Sequence, residues 1–180
     1  MNSINLDKVA AQQAQEIMKV LEIKFGKDLQ NRLDPKSVEN LATKALGVLQ
    51  EQGIYAGILF LLSRSGEKTD PSYLNGEQIC ACYIIKTLLN ILNHDAFKEW
   101  GYGLNNGLDW KTINSRNMNM NMKTTILNHV ASDSGLLENI DRLFLIKSLY
   151  EQILIYTRYS AKAAKIDVAA QDDNKEDEEE

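Results

Sequence analysis

Four cations near the C-terminal end of the chain carry the clearest chemical pattern: Lys147, Arg158, Lys162 and Lys165. On a helix turning about 100° per residue they fall within about 60° of one another. Cations collected along one helix face can neutralise the phosphates of a nucleic-acid backbone. Glu151 interrupts the row. The same residues equally describe a solvated face whose cations favour the helix C-terminus. Arg64 closes a second apolar stretch, FLLSRSG. It can face a phosphate or simply meet the terminal carbonyls of its own helix. Tyr156 and Tyr159 lie toward the other side of the last helix, where they can stack on bases or pack against a neighbour.

Other reactive residues form no recognisable constellation. His94 and His129 have no companions at metal-ligand spacing, and Cys80-x-Cys82 lacks the second pair of a zinc site. The run NMNMNM, Asn117 to Met122, could offer thioethers to a soft metal, but its composition reads as an asparagine-rich flexible loop. Gly101-x-Gly103-x-x-x-Gly107 has the wrong spacing for a dinucleotide fingerprint. P-loop, nucleophile-elbow and HExxH patterns do not occur, and paired acids stand only in the C-terminal tail. The expectation is a protein that is not an enzyme and needs no metal or cofactor.

Helices must position the cations. Val9, Ala14, Ile17, Met18, Leu21 and Phe25 recur at helical spacing and predict a first helix over Leu6 to Leu29. Asp34-Pro35 reads as N-cap and first residue of a second helix. Gly53 is expected to end it in the left-handed αL position of a C-terminal cap, and after this tight turn a third helix, apolar nearly all round, starts at Ile54. Ala56 and Gly57 would let another backbone approach it closely. A fourth helix is predicted from Glu77 to Leu92 with Asn75 as its cap. The segment 93–122 breaks periodicity with glycines and asparagines but keeps Phe97, Trp100, Tyr102 and Trp110. It predicts a short helix near Asp95 to Trp100, then a long ordered loop, functional or an interface. A fifth helix covers Lys123 to Ala131. The last, Leu137 to about Ala164, buries Leu143, Ile146, Tyr150, Ile153, Leu154, Thr157, Ala161 and Ala164.

The fold expected is all-α: one bundle of about six helices over 1–170, a loop insertion at 93–122, and a disordered acidic tail at 171–180. The 180 residues suit one domain, with 44% hydrophobic and 25% charged residues. The net charge of −5 comes from the tail, which holds seven of the 25 acids and one of the 20 bases. The remaining 18 acids and 19 bases leave a body charge of +1. A near-neutral body binds nucleic acid weakly alone and gains from assembly. Cys80 and Cys82 are two apart on one helix, poorly placed for a mutual disulfide, which suits a cytoplasmic location. MNSINLDKVAAQQ has no basic leader before an apolar stretch, so no signal peptide is expected. The longest apolar run, Ile54 to Leu62, is about half the roughly 20 residues a membrane span needs.

Two blocks, Ala45 to Arg64 and Ile153 to Ala163, give the chain its resemblance to a family. The first is a long helix, a Gly53 turn, and an apolar helix with Phe60-Leu61 before Arg64. The second is an aliphatic run ending in Tyr156, Arg158, Tyr159, Ser160 and Ala161. Together they resemble the small helical subunit of type III-B (Cmr-type) CRISPR RNA-guided complexes. The chain departs from that pattern at Ile146, Ser148, Ile155 and Tyr156, and in reading Arg158-Tyr159-Ser160 for Arg-Phe-Ala. The resemblance implies a structural subunit for antiviral defence. It would stack on copies of itself as the minor filament, beside the RAMP backbone subunits and the large subunit. It would meet guide RNA indirectly and target RNA directly, without sequence specificity and away from any membrane. Arg64 and Arg158 are the matched basic positions; Lys147, Lys162 and Lys165 join them by helix geometry. A helical protein–protein adaptor unrelated to nucleic acid is the alternative, motivated by the aromatics of 93–122.

Overall fold

The computed structural model describes residues 5–25, 31–66, 74–95, 97–102 and 118–176, with side chains as far as residue 164. The chain is all-α. Asn5 opens α1 (Leu6–Met18) by accepting from the Lys8 amide at 3.0 Å. The predicted continuation to Leu29 is not helical. A 3-10 turn, Lys19–Glu22, is followed by extended Ile23 and by β1 (Lys24–Phe25) paired antiparallel with β2 (Asn31–Arg32). The apolar spacing persists through Phe25, but β-branched Val20 and Ile23 weaken the helical preference where the chain must turn.

Asp34 begins α2 (Pro35–Arg64) as the sequence predicts, accepting from the Ser37 amide at 3.0 Å and from its hydroxyl at 2.5 Å. Gly53, with φ 87° and ψ −177°, breaks α2 into limbs 35–52 and 54–64. This is not the left-handed αL cap expected from the sequence: φ is positive, but ψ is extended, because the chain must fold back and restart a helix at once, in a region open essentially to glycine alone. The break is sharp. A Cβ on Gly57 would lie 3.4 Å from Leu49 Cβ and 3.6 Å from its Cα. Residues eight apart in an unbroken helix are about 12 Å apart. Gly57 thus admits the close approach that the sequence suggested, and the approaching segment is the preceding limb of the same helix.

Asn75 and Gln78 form a reciprocal capping box at the start of α3 (Gly76–Asn90). Cys80, Ala81, Cys82, Ile84, Ile85, Leu88 and Leu89 are all buried, so α3 is covered on nearly every side. The predicted end at Leu92 lies in a further 3-10 turn, Ile91–Asn93. α4 (Met120–Ala131) starts three residues before the predicted Lys123. Within NMNMNM, Met118 enters the core and Asn119 caps α4 by accepting from the Met122 amide at 2.9 Å. This part of the run is a helix start rather than a flexible loop. α5 (Ile140–Glu176) begins after Asn139, whose side chain accepts from the Arg142 amide.

α3 and α5 each pack against both α1 and α2, closing a four-helix ring around the core, and α4 leans on α2. Counting the two limbs of α2 separately, the described residues form six α-helices, close to the number expected. Of the 93–122 segment, residues 97–102 are packed as expected. The Phe97 and Trp100 rings meet tilted at 59° with centroids 5.0 Å apart, Arg142 lies 5.2 Å from the Trp100 ring, and His129 Nε2 meets the Tyr102 carbonyl at 3.0 Å. The predicted short helix there is the 3-10 turn Lys98–Trp100. The rest of that loop, 103–117, lies outside the described residues, as does the end of the acidic tail, 177–180. The helical trace itself runs to Glu176, beyond the predicted end near Ala164. Among the described residues α2 alone is long and apolar enough to cross a membrane, and 44% of its most apolar window is buried inside the bundle.

Candidate nucleic-acid interface

α5 owes its position to the elbow of α2. Six of the eight residues of the predicted stripe, Ile146, Tyr150, Ile153, Leu154, Thr157 and Ala161, are buried, while Leu143 and Ala164 near its two ends are half-buried. Tyr150 and Leu154 enter the crook formed by Ala45, Leu49, Ile54, Gly57, Ile58 and Leu61. The Tyr150 hydroxyl finds no partner there, and burial pushes its acidity far down. With this face committed, α5 must turn its basic residues along the outer edge of the α2 contact.

The five predicted cations do not behave alike. Lys147 is half-buried; it donates to the Gln50 carbonyl at 3.3 Å and pairs with Glu151 at 3.3 Å. Gln50 is among the last carbonyls before the Gly53 break, groups that a helix end leaves without an internal partner. Lys147 therefore serves the elbow of α2. Arg64 is exposed, pairs with Glu77 at 2.8 Å and covers the Phe60 ring at 5.4 Å. It meets a carboxylate from α3 rather than only the carbonyls of its own helix. An exposed pair of this kind is worth about 0–1 kcal/mol, so a phosphate can displace Glu77. Arg158 and Lys162 pair with no carboxylate among the described residues. Arg158 lies 5.7 Å from the Tyr159 ring centroid, and Lys162 is exposed. The Lys165 side chain lies outside the described residues.

The two tyrosines also diverge. Tyr156 is half-buried and donates to Asp7 Oδ1, which also accepts from Gln152 Nε2 at 2.8 Å. That bond to the carboxylate holds the Tyr156 hydroxyl above its usual pKa. Tyr159 is 57% exposed. Between α1 and α5 lies an open groove of about 640 Å³, lined by Asp7, Gln12, Gln15, Glu16, Tyr156 and Tyr159 among others. The spacing of residues along α5 cannot disclose this groove, because its other wall is α1, some 145 positions away in the chain.

The remaining reactive groups serve the fold. Cys80 and Cys82 are buried reduced thiols; burial pushes Cys82 up to about 11 and Cys80 higher still. Among the described residues no group of three His, Cys, Asp or Glu could hold a metal ion. Sequence reasoning missed Lys123, which is buried and donates to the Ser65 carbonyl at 3.0 Å, where α2 ends. Its neighbours Met122 and Thr124 give no sign of that role. No family model and no curated protein matches the chain.

Proposed function

We propose that the chain is a non-catalytic structural subunit of a type III-B CRISPR ribonucleoprotein. It acts in the cytoplasm in antiviral defence, stacks in several copies as the minor filament, and contacts the target RNA backbone without sequence specificity. Its partners are further copies of itself, the RAMP backbone subunits and the large subunit. The observation that carries this reading is the pair Arg158 and Lys162, cations without carboxylate partners among the described residues, beside the face of α5 that is committed to the core. Arg64 adds a cation in an exchangeable surface pair. The two blocks behind the resemblance also meet in the fold, since Leu154 of the second packs on Ala45 and Leu49 of the first. A body charge of +1 makes contact in single copies weak and contact along a row of copies strong.

The test is affinity purification of the tagged chain from its native host. Guide RNA and RAMP proteins should be recovered with it. Replacing Arg64, Arg158 and Lys162 together by Glu should abolish crosslinking to target RNA and leave assembly intact. A purification that recovers neither guide RNA nor RAMP proteins contradicts the proposal.

A second reading, a helical protein–protein adaptor, is favoured by exposed apolar pairs at helical spacing: Tyr55 with Leu59 on α2, and Ile140 with Phe144 on α5. On that reading the triple Glu variant loses a protein partner and no RNA contact changes.

A further inference from the structure

Tyr159 divides two surfaces of opposite character. On one side stand Arg158 and Lys162; on the other lies the groove between α1 and α5. The Arg158 guanidinium sits over the Tyr159 ring at 5.7 Å, and the ring also lines the groove. At 57% exposure this tyrosine is among the large apolar side chains that the bundle leaves in solvent.

Resting on the RNA-contact reading above, we infer that the α1–α5 groove receives an unpaired nucleobase of single-stranded RNA, stacked on Tyr159 while its phosphates follow Arg158 and Lys162. The charges of the groove favour a base over a phosphate. Asp7 and Glu16 are carboxylates of the lining, and Lys19 is already paired with Glu16 at 2.5 Å. A phosphate there would meet like charge, whereas a base edge offers N–H donors to carboxylate and amide oxygens. Asp7 uses Oδ1 for Gln152 and Tyr156, so Oδ2 can accept from the base. Gln12 supplies an amide that bonds either donors or acceptors, and Gln15, whose Nε2 donates to Ser160 Oγ at 3.3 Å, keeps its Oε1 as an acceptor. A partner helix would instead want a row of apolar anchors. This lining offers polar and charged side chains, two alanines and the two tyrosines, with no aliphatic row. The volume of about 640 Å³ admits a base with its sugar.

The test uses the full chain and a single-stranded RNA carrying one 2-aminopurine between uridines, titrated at low and moderate salt. Stacking on Tyr159 should quench the 2-aminopurine fluorescence on binding. Tyr159→Leu should abolish the quench and weaken binding about tenfold while leaving the salt slope unchanged, because base–aromatic stacking is separate from phosphate contact. Tyr159→Phe should keep both the quench and the affinity. Since Tyr159 is mostly exposed, the leucine variant should fold. RNA binding with quench and affinity unchanged in Tyr159→Leu overturns the groove assignment alone. An absence of salt-dependent RNA binding in the unaltered chain overturns the RNA reading and the groove with it. Loss of a protein partner from Tyr159→Leu, with RNA binding intact, assigns the groove to a polypeptide and overturns the inference.

Discussion

Replacing Gly53 with alanine tests how the bundle holds its long C-terminal helix. At φ 87° and ψ −177°, an alanine pays no steric toll from neighbours, because nothing lies within 4 Å of its Cβ. The whole effect is backbone strain, about 1–3 kcal/mol for a residue held in that region. Gly47 supplies an internal control. It lies in the first limb of the same helix, and a Cβ there would also meet nothing within 4 Å. Gly47→Ala should therefore stabilise by about 0.5–1 kcal/mol through helix propensity and a less flexible unfolded chain. For a domain of this size each kcal/mol moves the melting temperature by about 2–4 °C. Taking about 2 kcal/mol of strain, Gly53→Ala should melt about 4–8 °C below the unaltered protein. Gly47→Ala should melt about 1–4 °C above it. Circular dichroism at 222 nm on heating, checked by urea unfolding, reads both. Opposite signs are the prediction. If Gly53→Ala is neutral or stabilising, the break in α2 is not the conformation described, and the seat of Tyr150 and Leu154 in its elbow is wrong.

Three further outcomes follow from single groups. Tyr150→Phe should be neutral or stabilising by up to about 1 kcal/mol in urea unfolding, since the hydroxyl is buried without a partner, whereas Tyr150→Ala should cost about 3–5 kcal/mol. Asp34→Ala should cost about 1 kcal/mol at neutral pH through loss of the cap on α2. The bond from the Ser37 side chain holds the Asp34 carboxyl below the ordinary carboxylate range. Its contribution is thus present above the unfolded-state pKa and lost as pH falls through the lower folded one, so the two proteins should converge in acid. Cys80 and Cys82 should resist a thiol reagent in the folded protein at mildly alkaline pH and react only after denaturation, because burial holds both as thiols.

Local chemistry made much of this fold legible. Asp34-Pro35 and Asn75 announce helix starts because a cap is decided within four residues. The break at Gly53 and most of the α5 stripe were equally readable, one from a residue that ends helices and the other from strict spacing, although the backbone angles at Gly53 were not. Failures came where distant chain decides. The apolar rhythm after Met18 continues, yet the backbone turns and pairs with residues 31–32. In NMNMNM every asparagine is a possible cap, and only the core site for Met118 selects Asn119. Charge state was the least legible. Arg64 and Lys147 looked as available as Arg158, but Glu77 and the Gln50 carbonyl engage them from other helices.

Whether α5 meets an RNA backbone is read from the salt dependence of single-stranded RNA binding by the unaltered chain and by a variant carrying Arg158→Gln and Lys162→Gln. Each phosphate contact on a single strand contributes about 0.7 to the slope of log affinity against log salt. The slope should be shallower by about 1.4 in the double variant, with melting temperature unchanged. An identical slope in both proteins contradicts the proposed RNA contact, because Arg158 and Lys162 would then face something other than phosphate.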